Sequence, residues 1–290
     1  MCDELTAADN EAYLTDAAVS RRRFGAIAGA AGLVAMLPSP AGAVTVKGRD
    51  VVITTPDGQC DAYFVAPATG KHPAVLVWPD IMGLRPAFRQ MADRLAQSGY
   101  AVLTVNQFYR STKAPFLGAG ESFDQPAVRD RIMPWRAKLT QAATRADAGA
   151  FLSWIDRQKE VDTKRGVGTT GYCMGGPMTM LTAAERPARV RAGASFHGGG
   201  LATDKPDSPH LLVPRMKARY LFAVAENDDQ RNPGEKDKLR EAYAAAKLPA
   251  EIEVYAGTMH GWCPPDSRVY NAAQADKAWE RLLVLLKGAL

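Results

Sequence analysis

The sequence predicts an α/β fold, a mainly parallel sheet of about eight strands with helices on both faces. Three observations carry that expectation. Strand-like and helix-like segments alternate from about residue 50 to the C-terminus, the signature of a parallel sheet with crossover helices. Residues 73–78 (Pro-Ala-Val-Leu-Val-Trp) form an unbroken apolar run, as expected of a strand covered on both faces. A glycine-rich turn, Gly171-Tyr172-Cys173-Met174-Gly175-Gly176, joins a strand to a helix near the middle of the chain. With 290 residues, 47% of them hydrophobic and 23% charged, the chain can bury a substantial core as a single domain.

The elements follow in order. Val51-Val52-Ile53-Thr54 and Ala62-Tyr63-Phe64-Val65 flank the turn signal Pro56-Asp57-Gly58 and read as an antiparallel hairpin. After the apolar run comes a helix over 86–98, with Phe88, Met91, Ala92 and Leu95 on one side and Gly99 as its stop. A strand over 101–105 follows, then a Gly-, Pro- and Phe-containing loop to about 125, long enough to suggest a functional role. One helix is expected over 134–158. Strands at 166–170, 190–196, 219–225 and 252–255 then alternate with helices near 175–185, 233–246 and 272–286. No internal repeat or second domain boundary is evident after Val44.

Residues 1–43 read differently. Ser20-Arg21-Arg22-Arg23-Phe24 precedes a weakly apolar Ala/Gly-rich run over 25–37, then Pro38, Pro40 and the small triplet Ala41-Gly42-Ala43. A charged region, an apolar region and an A-x-A-like site in this order resemble a twin-arginine (Tat) export signal. The apolar run is shorter than the roughly 20 residues that span a bilayer, so no stable membrane anchor is expected. Residues 1–43 are therefore expected to lie outside the fold, with cleavage after Ala43, a mature domain over 44–290 and a periplasmic or secreted location. The Tat machinery is the partner expected for the precursor. Of the four cysteines, Cys2 would leave with the signal, and Cys60, Cys173 and Cys263 would remain. That odd number leaves at least one thiol unpaired within the chain. The formal charge of +5 is not gathered into a basic, aromatic-interleaved patch, so nucleic acid is not an expected partner. A modest positive field favours an anionic small molecule.

The chemistry centres on Cys173. Gly-x-Cys-x-Gly between strand and helix is the nucleophile-elbow pattern with cysteine in the serine position. The flanking glycines let strand and helix approach closely. The elbow places sulfur and the Met174 N–H at a helix start, where a thiolate and an oxyanion are both stabilised. An acid and a histidine should follow in that order. The strand over 219–225 runs into Glu226-Asn227-Asp228-Asp229, and Asp228 is the preferred acid, with Asp229 and Glu226 as rivals. His260 lies in the loop between the last strand and the last helix, where a base is needed. His197-Gly198-Gly199-Gly200 looks like an oxyanion motif, but it falls downstream of the nucleophile and is read as a loop. The second oxyanion donor is assigned to the N–H of Ile81, after the strand that ends at Trp78.

These segments resemble the dienelactone hydrolase family: Trp78-Pro79-Asp80-Ile81-Met82-Gly83, Gly99-Tyr100-Ala101-Val102, Phe108-Tyr109-Arg110, Gly171-Tyr172-Cys173-Met174-Gly175-Gly176, Asp228 and His260-Gly261-Trp262. The resemblance spans residue 50 to the end. It implies an α/β-hydrolase fold, a Cys173-Asp228-His260 triad and an oxyanion hole from Met174 and Ile81. It implies a small ester or lactone substrate and requires no cofactor or metal. In the family a glutamate after the first buried strand contacts and activates the resting thiol; here that position is Asp80. Arg110 matches one family arginine for the substrate carboxylate. The second family position holds Pro264, with Arg268 nearby. The expected activity is carboxylic ester hydrolysis. An acyltransferase or peptidase on the same scaffold is the enzymatic alternative. A non-catalytic thiol sensor or binding module is the alternative of another class, disfavoured because a sensor needs neither base nor orienting acid.

Overall fold

In the computed structural model, residues 4–15, 37–40 and 42–290 are described. The paired arginines, most of the apolar run and Ala41 of the expected export signal lie outside them. Eight strands form one sheet: β1 (Val46–Thr55), β2 (Gly58–Pro67), β3 (Ala74–Trp78), β4 (Ala101–Val105), β5 (Val167–Tyr172), β6 (Val190–Phe196), β7 (Arg219–Ala225) and β8 (Ala250–Tyr255). Their spatial order is β1-β2-β4-β3-β5-β6-β7-β8. The hairpin β1–β2 and the β2–β4 pair are antiparallel, and every later pair is parallel. This is the sheet expected from the sequence, with the hairpin strands longer than their apolar cores suggested.

The central strands β3, β4 and β5 are buried throughout, which explains their uninterrupted apolar character. The helices are α1 (Glu4–Thr15), α2 (Pro86–Gln97), α3 (Pro126–Ala137), α4 (Gln141–Ile155), α5 (Gly175–Glu185), α6 (Glu226–Arg231), α7 (Glu235–Ala245) and α8 (Ala272–Ala289). One face of the sheet packs Ile132, Phe151, Met180 and Tyr243 from α3, α4, α5 and α7. The other packs Phe88 and Leu95 from α2 with Trp279, Leu282 and Leu286 from α8. The Trp78 indole N–H donates to Thr182 Oγ1 at 3.0 Å, pinning β3 to the helix that follows the elbow.

One expectation is corrected. The helix expected over 134–158 is two helices, α3 and α4. Thr140 caps the second, its Oγ1 accepting from the Ala143 N–H at 3.1 Å, and a side-chain cap starts a helix at that point. Residues 4–15, within the expected leader, form α1, whose side chains bond to α6 and to the loop after β8.

Candidate active site

Parallel strands deliver their following loops to the carboxyl edge of the sheet, where sites form. A cleft of about 450 Å³ lies there, with Asp80, Ile81, Cys173, His197 and His260 on its walls. A neighbouring cavity of about 370 Å³, lined by Met174, Met178 and Lys205 among others, contains neither Cys173 nor His260. The candidate residues Cys173 and His260 therefore meet at the first cleft.

Cys173 follows β5 directly and takes a left-handed backbone, φ +53°. L-residues avoid that region at a cost of roughly 1–2 kcal/mol, so the surroundings must hold it. They do so through backbone bonds: the Cys173 N–H donates to the Phe196 carbonyl and its carbonyl accepts from Gly176, each at 3.0 Å. The glycines are explained by close approach. A Cβ at Gly171 would overlap the Gly175 carbonyl, and one at Gly175 would overlap the carbonyl oxygens of Trp78 and Pro79. Cys173 is 2% exposed and is disulfide-bonded in this structure. Cys60 and Cys263 are free and buried. Burial pushes both of their thiols well up, so neither competes as a nucleophile.

His260 Nδ1 lies 2.7 Å from Asp228 Oδ2. The two rival carboxylates are engaged elsewhere: Asp229 pairs with Lys236 at 2.6 Å, and Glu226 accepts from the Gly257 N–H at 2.9 Å. Asn227, which sequence reasoning passed over, accepts the backbone N–H of His260 at 2.8 Å through Oδ1. The segments that follow β7 and β8 are thereby tied together. Asp228 lies on α6, a short helix where a loop was expected.

Asp80 lines the cleft, but its carboxylate is occupied. Arg85 donates to it twice, at 2.7 and 3.0 Å, and the Met82 N–H adds a third bond at 2.9 Å. Arg85 also binds both oxygens of Asp266, at 2.6 and 2.9 Å. Burial alone would push the Arg85 guanidinium down, and the two carboxylates outweigh it and hold it up. Sequence reasoning missed this trio, because Asp266 lies 181 positions from Arg85.

The Asp80–Ile81 peptide is anchored from behind. Its carbonyl accepts from the Gly83 N–H at 2.9 Å and from the buried Gln107 side-chain amide at 2.7 Å. In a trans peptide the C=O and the following N–H point in opposite directions. Fixing the carbonyl of Asp80 therefore fixes the direction of the Ile81 N–H. Met174 stands at the N-cap of α5, where unpaired helix N–H groups are available.

Arg110 is placed elsewhere than sequence reasoning suggested. Its guanidinium binds Asp147 at 2.7 and 2.8 Å and Asp57 at 2.6 and 2.9 Å, and it is absent from the cleft lining. Arg85 and Arg268 are the arginines on the cleft wall. His197 corrects the reading of its segment as a plain loop. The backbone does form a loop, with φ +40°, but the imidazole lines the cleft with both ring nitrogens unpartnered and its centroid 5.2 Å from that of His260. Burial, then the charge of His260, pushes His197 well below the ordinary histidine range, so it stands neutral at physiological pH.

A strained cysteine elbow, a histidine–carboxylate pair and an eight-stranded sheet define an α/β-hydrolase. The family model described as "Dienelactone hydrolase family" matches residues 60–290, and the chain belongs to that family of carboxylic ester hydrolases. A Methylorubrum extorquens protein provisionally named a carboxymethylenebutenolidase is 28% identical over 237 residues, 80% of this chain and 78% of its own. A Bradyrhizobium protein provisionally named a 2-oxo-3-(5-oxofuran-2-ylidene)propanoate lactonase is 27% identical over 234 residues, 78% of this chain and 88% of its own. A solved Klebsiella pneumoniae structure, provisionally titled a dienelactone hydrolase, superposes with a TM-score of 0.72 at 24% identity, over 84% of this chain and 99% of its own. At that identity the superposition speaks for the fold.

Proposed function

We propose that this protein hydrolyses a small ester or lactone with Cys173 as nucleophile, His260 as base and Asp228 as the acid that orients it. The observation that carries this is the 2.7 Å Asp228–His260 pair opening on the same cleft as the strained Cys173. Reduced Cys173 gives its proton to His260 Nε2, and the thiolate attacks the carbonyl carbon. The N–H groups of Met174 and Ile81 receive the developing oxyanion. The tetrahedral species collapses to a thioester as the C–O bond breaks, and His260 returns the proton to the leaving oxygen. In a lactone that oxygen stays tethered to the acyl chain. Water, deprotonated by His260, then attacks the thioester carbonyl, and the carboxylic acid departs as Cys173 takes its proton back. Asp228 keeps the proton of His260 on Nδ1 and stabilises the imidazolium that forms at each step.

The cleft volume suits a small acyl group, and the carboxymethylenebutenolidase and lactonase names of the relatives favour a lactone. A panel of short nitrophenyl esters and five-membered lactones, run on the reduced full chain beside Cys173→Ala, tests the reading. The expected result is hydrolysis by the wild type and a loss of on the order of 10³ or more in the variant. Equal rates for the two would overturn it.

The arginine pair Arg21-Arg22 and the Ala41-Gly42-Ala43 triplet further support export of the folded precursor to the periplasm or medium. Replacing both arginines with lysine should retain the precursor in the cytoplasm. An unchanged distribution between compartments would count against export by this route.

A further inference from the structure

The second cavity, of about 370 Å³, falls within the roughly 300–1,000 Å³ of small-molecule sites. The same two stretches of chain border both cavities. Cys173 and His197 line the first, while Met174, Gly199 and Gly200 line the second. An occupant of the second cavity would therefore sit one residue from the elbow cysteine without touching it.

One wall is apolar. Met174, Pro177, Met178 and Leu181 line it at positions i, i+3, i+4 and i+7, the spacing that puts side chains on one side of a helix. The two methionines make this wall adaptable to the shape of a chain laid against it.

The opposite side is cationic and rich in unused donors. Arg136 is half-buried on α3, and Lys205 is exposed in the segment after β6. Neither side chain pairs with a carboxylate among the described residues, in contrast to the committed Arg85 and Arg110. Asp207 is the one carboxylate among the described lining residues, so the balance of charge stays positive. Thr144, on α4, lines the same cavity and is 1% exposed. Its hydroxyl makes no hydrogen bond among the described residues, although buried polar groups nearly always have a partner. The N–H groups of Gly199 and Gly200 also donate to no group among the described residues.

We propose that this cavity is a second binding site, for an amphipathic carboxylate. Its apolar chain lies on the methionine wall, and its carboxylate is received by Arg136 and Lys205, with Thr144 and the glycine N–H groups as further donors. Charge-assisted bonds to a carboxylate are the strong ones. A neutral apolar ligand would leave both cations and the Thr144 hydroxyl unanswered, and a cationic one would meet like charge. The site does not depend on the assignment of Cys173 as nucleophile.

The probe is octanoate, titrated calorimetrically into the full chain, with octanol and acetate as controls that keep only the chain or only the charge. Octanoate is expected to bind, and each control to bind about tenfold or more weakly. Arg136→Glu with Lys205→Glu should weaken octanoate about tenfold or more and leave octanol within about twofold. Thr144→Val, which keeps the shape of the side chain, should weaken octanoate several-fold. Arg268→Ala, on the wall of the first cleft, should leave octanoate unaffected. Absence of octanoate binding, or acetate binding as tightly as octanoate, would overturn the site. So would a loss caused by Arg268→Ala and not by the Arg136 and Lys205 changes, which would place the ligand in the first cleft. Calorimetry needs no turnover: a chain that binds octanoate as expected and hydrolyses no ester would keep this site and lose the proposed activity.

Discussion

Asp228→Asn isolates the contribution of the acid. The histidine and carboxylate side chains are 3% and 13% exposed, so solvent screens the pair weakly. Two unit charges about 4 Å apart at an effective dielectric of about 20 attract by about 4 kcal/mol. After exchange with water, a hydrogen bond to a charged group retains roughly 1.5–3 kcal/mol. That is roughly ten- to 150-fold in the rate of any step passing through the imidazolium. Asparagine adds a second loss, because its NH₂ can donate to Nδ1 and place the imidazole proton on Nε2, the nitrogen that must accept from Cys173. The burst of nitrophenol from the reduced full chain reports acylation directly. Acylation is expected to fall at least tenfold in Asp228→Asn, with KM changing less than threefold. Asp229→Asn, which loses only its pair with Lys236, should stay within twofold. Asp228→Asn with a wild-type burst, or the two variants falling together, would refute the assignment of the acid.

His197 predicts a pH dependence of stability. Its folded pKa is lowered by burial and then by the charge of His260, so at acid pH the unfolded chain binds a proton that the native state does not. The contribution is present above the unfolded pKa of about 6.5 and is lost as pH falls below it. Between pH 7.5 and 5.5 the wild type should lose about 1.4 kcal/mol from this source; urea midpoints that fall as steeply in His197→Phe would contradict it. Gln107→Leu removes one of two anchors on the Asp80 carbonyl, the Gly83 N–H remaining. One buried hydrogen bond of about 0.5–1.5 kcal/mol gives a roughly two- to tenfold fall in kcat, matched by weaker binding of a trifluoromethyl ketone, while KM is nearly constant. An unchanged kcat would separate Gln107 from the oxyanion site. Arg110→Ala strands the buried Asp147, whose side chain is 1% exposed, and should destabilise by roughly 3–5 kcal/mol while affecting anionic and neutral substrates alike. A selective rise in KM for the anionic one would restore Arg110 to the site.

Features carried by local backbone were legible in the sequence. The glycine spacing around Cys173 encodes a turn in which Gly171 and Gly175 pack without room for a Cβ, so the elbow could be read directly. Asp228 and His260 follow from chain order and from the rule that loops after parallel strands share one edge. Thr140 carried a capping signal as well, but the single helix expected over 134–158 passed over it. Choosing among Glu226, Asp228 and Asp229 was beyond the sequence, because it depends on Lys236 and Gly257 claiming the other two. Arg85, Gln107 and His197 escaped for a similar reason. Each meets a partner or neighbour far along the chain; Arg85 and Gln107 sit in no motif that marks them, and the glycine-rich motif that holds His197 was read as a loop.

Arg110 shows why a position on the correct edge of the sheet does not assign an arginine to substrate. Asp57 in the hairpin turn and Asp147 on α4 converge on it and satisfy its guanidinium before any ligand arrives. Arg85 is committed in the same way, with its side chain 7% exposed and its Asp80 partner 9% exposed. Breaking such a pair leaves a buried charge uncompensated, which costs more than a small anion would return. Arg268 differs in kind. It is 52% exposed and pairs with Glu11 and Asp124, themselves 58% and 36% exposed. Exposed pairs of this sort are worth at most about 1 kcal/mol, so Arg268 can exchange a partner at little cost. Of the two arginines on the cleft wall, it is the one that can turn to a small anion without stranding a buried partner.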